Sequence, residues 1–316
     1  FIAFLLALAA VGFLIYFIHH IASSIQASTM IHAITDETVE VIKTMFPHKI
    51  GEEGQSEADR QQQQQAKDGE GSLAGSQWHV IPALSYGYIQ RIEKERLLKI
   101  ACRRRITLRM ELGVGEFAHQ GQPLVTVCGS KPDQQLIREI NRNYGIDAHR
   151  TVDQDPGFGI QQLVDIAAKG LSPGINDTTT ATTAVDYLSE ILCDLAVRRL
   201  EPSHYFEGPQ LRVIAHSLSF ESLFNGAFDR LVEYAQGNHA VMQHLLTALA
   251  RLAEITSGPG RQEAVRKQAQ ALVQLARTIQ NPSVQTEIEA QAQCVLNLCG
   301  SQSPKREHLT PLSKAA

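Results

Sequence analysis

Apolar residues are not spread evenly along this chain. Residues 1–18 read FIAFLLALAAVGFLIYFI, without a single charge. As a helix rising ~1.5 Å per residue this run extends about 27 Å, close to the thickness of a bilayer's hydrocarbon core, and it predicts a transmembrane helix. His19 and His20 follow at the depth of the headgroups, where interfacial anchoring is the ordinary role and metal binding or pH sensing the special one. Ile21, Ile25, Ile31, Ile34, Val41, Ile42 and Met45 then recur at three- and four-residue steps, which predicts that the helix continues as an amphipathic stem and ends at Pro47. A long stem with one apolar stripe needs a partner, either a second copy or a helix upstream. Because the sequence begins without Met, further upstream membrane helices are expected.

Past the stem the pattern changes four times. Residues 51–76 carry no apolar periodicity and include the run Gln61 to Gln65, the composition of a disordered acidic, Gln-rich linker. In 77–130 short runs alternate apolar and polar residues: a strand around Gly87, a helical stretch near 92–102, a strand from Ile106, a turn at Gly113 to Gly115, and a strand from Pro123. The order Val114-Gly-Glu-Phe through Gly121 to Leu124 resembles half of a barrel-sandwich, biotinyl or lipoyl-like domain. The modifiable lysine of such carriers is missing, so the resemblance implies fold alone. Residues 131–200 read as a helical hairpin region, 201–300 as a helical bundle with breaks at Gly258-Pro-Gly and Asn281-Pro, and 301–316 as a disordered tail. The fold class expected is therefore a membrane-anchored α+β protein: a transmembrane helix with an amphipathic stem, a small barrel-sandwich-like β unit, and a mainly α-helical C-terminal domain.

Charge alters this picture in two places. The net charge of −4 is carried by 51–76, where six acids face only Arg60 and Lys67, so the rest is about neutral and no nucleic-acid partner is expected. Between Arg91 and Arg109, eight bases stand against Glu93 and Glu95. Arg103, Arg104, Arg105 and Arg109 are thus candidates for contact with a membrane surface or another anion, beside the alternative of a solvated face. The five cysteines are an odd number without a C-x-x-C pair, which fits buried or inert thiols in a reducing compartment.

The densest chemistry lies between Arg150 and Ala181. Asp155-Pro156 is a helix start, with Asp as cap and Pro at the first helical position, and Asn176 or Asp177 can start the next helix. Capping explains those residues but not Asp153, nor Asp165, which interrupts an apolar run and is either buried with a partner or exposed on the far face. Asp153, Asp155, Asp165, Ser172, Asn176, Asp177 and Thr180 form the candidate ligand-binding set. Its carboxylates Asp153, Asp155, Asp165 and Asp177 are candidates for a divalent cation such as Mg²⁺ or Ca²⁺, or for acid/base work; structural capping is the alternative. No other cofactor is indicated.

The stretch from Asp153 to Ala181 also resembles the hallmark of a bacterial family of predicted membrane proteins, domain of unknown function 2254: D-x-D-P-x-F-G-[IV]-x-x-L-x-D-I-A-x-x-A-L-S-P-x-I-N-D-P-x-T-A. Gly170 and Thr178 depart from it, where the family often has Ala and Pro. The resemblance covers essentially the whole chain and implies a membrane topology with several helices upstream, a site in this stretch, and a bacterial inner (cytoplasmic) membrane location. It implies no reaction. With the cysteines and the basic stretch, it places the soluble part in the cytoplasm.

Two functions follow as expectations. One is non-enzymatic: an oligomeric channel, transporter-like or scaffold protein, with the lipid bilayer and copies of itself as partners and a cytoplasmic ligand-sensing domain. No nucleophile elbow, phosphate loop, dinucleotide fingerprint or zinc motif argues otherwise. The other is a membrane-tethered, metal-dependent enzyme using Asp153, Asp155, Asp165 and Asp177, which would have to bring those carboxylates together beside a pocket.

Overall fold

The computed structural model describes residues 2–48, 50 and 55–300, and for 19–26 and 55–63 the helical backbone alone. The expectations placed on the side chains of His19 and His20 and on the tail 301–316 lie outside the described residues.

Helix α1 (Ile2–Met45) runs without a break through both the apolar run and the stem. Among the described residues, no helix is long and apolar enough to cross a membrane, which corrects the expected transmembrane helix. The apolar run is confined to one end of α1, and the rest of the helix is a stem with a polar face. The run's side chains are exposed on every side, with Ile2 75% and Phe13 69% accessible. The stem's apolar stripe, by contrast, is buried within this chain. Ile31, Ile42 and Phe46 join a core built with α5 (Pro156–Gly170) and α6 (Thr178–Ala196). Where α1 crosses α5, a Cβ on Gly159 would stand 1.9 Å from Thr38 Oγ1, so glycine alone permits this approach. Thr35 and Thr38 are buried there at little cost, each hydroxyl donating to the carbonyl four residues earlier.

The same core takes in α7 (Phe220–Tyr234), α8 (His239–Ile255), α9 (Pro259–Ala276) and α10 (Pro282–Gly300). Phe220, Phe224 and Phe228 stack along α7, with centroids 5.6 and 4.6 Å apart. Local sequence sets these helix starts: Ser219 and Asn238 each accept a backbone N–H of the first turn.

A second core belongs to the β unit. β1 (Trp78–Pro82), β5 (Pro123–Cys128), β3 (Thr107–Met110), β8 (Gln210–Ile214) and β7 (His204–Glu207) lie in that order in one sheet. All neighbours are antiparallel except β3 and β8, which pair in parallel. A smaller antiparallel sheet holds β4 (Phe117–Ala118), β2 (Gly87–Ile92) and β6 (Tyr144–Asp147). Helices α3 (Lys94–Arg104) and α4 (Gln134–Asn141) bury Leu97, Ile100, Leu136 and Ile140 in this core. The expected barrel-sandwich is thereby corrected. The strands form two open sheets, and two of the five strands of the larger sheet come from beyond the helical hairpin, so the unit does not close on itself. The expected disordered linker is also corrected in part. Residues 55–72 form α2 (Gln55–Ser72), which packs Gly69 against Leu211 of β8 and Glu70 against His204 of β7.

Candidate functional site

The structure puts the predicted site residues at separate places along the α5–α6 hairpin. Asp155 caps α5: Oδ1 accepts Phe158 N–H at 3.1 Å, while Oδ2 accepts two N–H groups of Arg150, at 3.2 and 2.6 Å. Asp177 caps α6, accepting the backbone N–H and the hydroxyl of Thr180 at 3.0 and 2.6 Å. Its own N–H donates to Gly170 O at the far end of α5. A fifteen-residue helix is about 22 Å long, so Asp155 and Asp177 stand too far apart to share an ion. Asp165 lies on the outer face, paired with Arg230 at 2.9 Å, and Asp153 is exposed. Ser172 donates to Lys169 O, and Asn176 takes the left-handed conformation, φ 49°, that turns the chain between the helices. Among the described residues, no three His, Cys, Asp or Glu side chains could hold one metal ion. The departures Gly170 and Thr178 fit locally: a Cβ at 170 would meet Asp177 O at 3.0 Å, and Thr178 Oγ1 accepts from Asn238.

Several bases of the basic stretch have partners, while Arg91, Arg96, Lys99, Arg103 and Arg105 stay exposed. Arg103 pairs with Glu139, Arg104 with Asp133 at 3.2 Å, and Lys94 with Glu201. Arg109 lies over the Trp78 ring at 4.3 Å. Arg105 ends α3 in the left-handed conformation, φ 55°.

The residues that do converge line a cleft of about 350 Å³ between the two cores. The chain passes between the cores here, from β6 into α5, from α6 into β7 and from β8 into α7. Met45 and Phe46 at the end of α1, Val114, Leu218 and Leu223 form its apolar wall. Two ion pairs line it, Arg150 with Asp155 and Lys94 with Glu201, and His216 Nδ1 stands 3.9 Å from Glu116 Oε2. Lys94 and Glu116 come from the β unit, while Glu201 and His216 sit on the crossings to the bundle. Gln154 Oε1 accepts Ile92 N–H at 3.0 Å, adding a neutral link.

The turn after β3 is shaped to the cleft. Gly115, φ +88°, leaves room for the buried ion pair: a Cβ there would stand 2.3 Å from Asp155 Oδ2 and 2.7 Å from Arg150 Nη2. A Cβ on Gly113 would stand 2.3 Å from His216 Nδ1, and Glu116 Oε2 accepts Gly113 N–H. Burial pushes the Asp155 carboxyl above its ordinary value, outweighing the opposite pull of the Arg150 guanidinium and of the backbone N–H groups. Arg150 also covers the Phe158 ring at 4.8 Å. Two further hollows, of about 460 and 730 Å³, open beside α2 and the 199–212 region.

Of the predicted set, only Asp155 belongs to this cleft. Lys94, Glu116, Arg150, Glu201 and His216 were not singled out as site residues by their local pattern. The one usable signal is the glycine spacing Gly113-Val-Gly115-Glu116, which reads as a turn but places a carboxylate beside it.

Comparison with known proteins agrees with the motif. The chain is 27% identical over 272 residues to an uncharacterised protein of Mycobacterium bovis and to one of Mycobacterium tuberculosis, covering 83% of this chain and 49% of each relative. It thus spans about half the length of the curated relatives it matches. No solved structure matches it. The model of the predicted membrane proteins known as domain of unknown function 2254 matches residues 1–251, and the chain belongs to that family.

Proposed function

We propose that this chain is the ligand-responsive part of a bacterial membrane protein of the channel, transporter-like or scaffold kind, and that α1 carries the state of the inter-core cleft toward the membrane. The observation behind this reading is the course of α1. One unbroken helix of 44 residues, roughly 66 Å, has an exposed apolar run at one end and supplies Met45 and Phe46 to the cleft wall at the other. Arg198 donates to Phe46 O at 2.8 Å and Arg199 N–H to His48 O at 2.9 Å, which ties that end to the chain crossing that bears Glu201. An apolar surface as continuous as 2–18 is satisfied by lipid, or by apolar helices around it, far better than by water. Five free cysteines fit a soluble part facing the reducing cytoplasm. The metal-enzyme alternative draws no support from the hairpin, whose carboxylates point to separate places.

Hydrogen exchange on the full-length protein in lipid nanodiscs tests the coupling. Gly115→Ala should prise Arg150 and Asp155 apart and raise exchange both around 150–158 and along 31–46 of α1. Faster exchange at 150–158 with α1 unchanged would reject the coupling.

A further inference from the structure

The three carboxylates of the cleft are not equally matched. Asp155 faces the permanent charge of Arg150, and Glu201 that of Lys94. Glu116 faces only an imidazole, and 3.9 Å is too long for a hydrogen bond. Both side chains are half accessible, Glu116 44% and His216 50%, so they are more open to the cleft than Arg150 and Asp155, at 28% and 4%. The described contacts of Glu116 fall on Oε2, which Gly113 N–H holds in place. The surrounding wall is apolar: Val114, two residues before it, with Leu218 and Leu223. A volume of about 350 Å³ suits a small organic molecule.

Resting on the reading of this cleft as the ligand site, we infer that its ligand is a small organic cation, a primary ammonium on an apolar body, with Glu116 as counter-charge and Val114, Leu218 and Leu223 as its apolar wall. Such a ligand replaces a weak partner of Glu116 by a full charge in a partly desolvated place. An anion would have to break Lys94 or Arg150 out of an existing pair.

The test is thermal unfolding of the full-length chain at constant ionic strength, with phenethylammonium chloride against sodium 3-phenylpropionate. The ammonium should raise Tm by a few degrees in a saturable way, and the carboxylate should not. Glu116→Gln keeps an acceptor for Gly113 N–H and should abolish the rise. Val114→Lys, which tethers a competing ammonium in the cleft, should abolish it as well. No rise with the ammonium, a rise with the carboxylate, or a rise that survives both substitutions would overturn the inference. Ammonium binding with unchanged α1 exchange would reject the coupling and leave the ligand class standing. A response of α1 to Gly115→Ala without ammonium binding would do the reverse.

Discussion

Two aspartates of one helix show how little a residue's type says without its surroundings. Asp155 is 4% accessible at the side chain and holds Arg150, whereas Asp165 is 53% accessible and meets Arg230 at the surface. Asp155→Asn should cost under about 1 kcal/mol in chemical denaturation, because the amide still caps α5 and, like the protonated carboxyl that burial favours, is cheaper to bury than the charged form. Asp165→Asn should cost less than about 1 kcal/mol in the same measurement, as exposed pairs do. The pH dependence of the first has an unusual sign. Because burial raises the folded-state pKa of Asp155 above its ordinary 3.8, the native state holds this proton more tightly than the unfolded one. Its contribution therefore improves as pH falls through the window above 3.8 and is lost as pH rises through the folded value. Stability of the wild type relative to the Asn variant should accordingly fall as pH rises through that window; a constant difference would reject the assignment.

At the scale of elements, the crossing of α1 and α5 decides how the stem is buried. An apolar stripe at three- and four-residue steps says that the helix has a partner but not which one, and the partner is α5 and α6 of the same chain. Gly159→Ala should destabilise the protein by about 1–3 kcal/mol, since the added methyl meets Thr38 in a packed crossing. Combining it with Thr38→Ala should recover part of the loss, read as a non-additive double-mutant cycle. The helix start at Asp155, on the other hand, was legible, and the next was narrowed to Asn176 or Asp177, because a cap is a contact between residues two or three apart.

At the scale of the molecule, the two cores depend on one another. β3 lies next to β8, about a hundred residues later, with Leu108 paired to Val213 and both fully buried. A chain ending at residue 200 should therefore lose the cooperative unfolding of its β unit as well as the bundle, seen as loss of near-ultraviolet circular dichroism; a native-like β unit in that fragment would contradict the topology. The sequence by itself determined the helices and their caps, the strands' alternation, the apolar character of 2–18 and the family motif, all of them properties of residues close together along the chain. It suggested a transmembrane helix and a closed β unit, neither of which the described residues bear out, since the partners of β3 and the surroundings of the apolar run are not local. Only the tertiary structure decided that the motif's carboxylates stand apart and that Lys94, Glu116, Arg150, Glu201 and His216 meet at one cleft. Those five come from five segments of chain, and their meeting is fixed by the packing of two cores across three crossings, which no periodicity within a segment records.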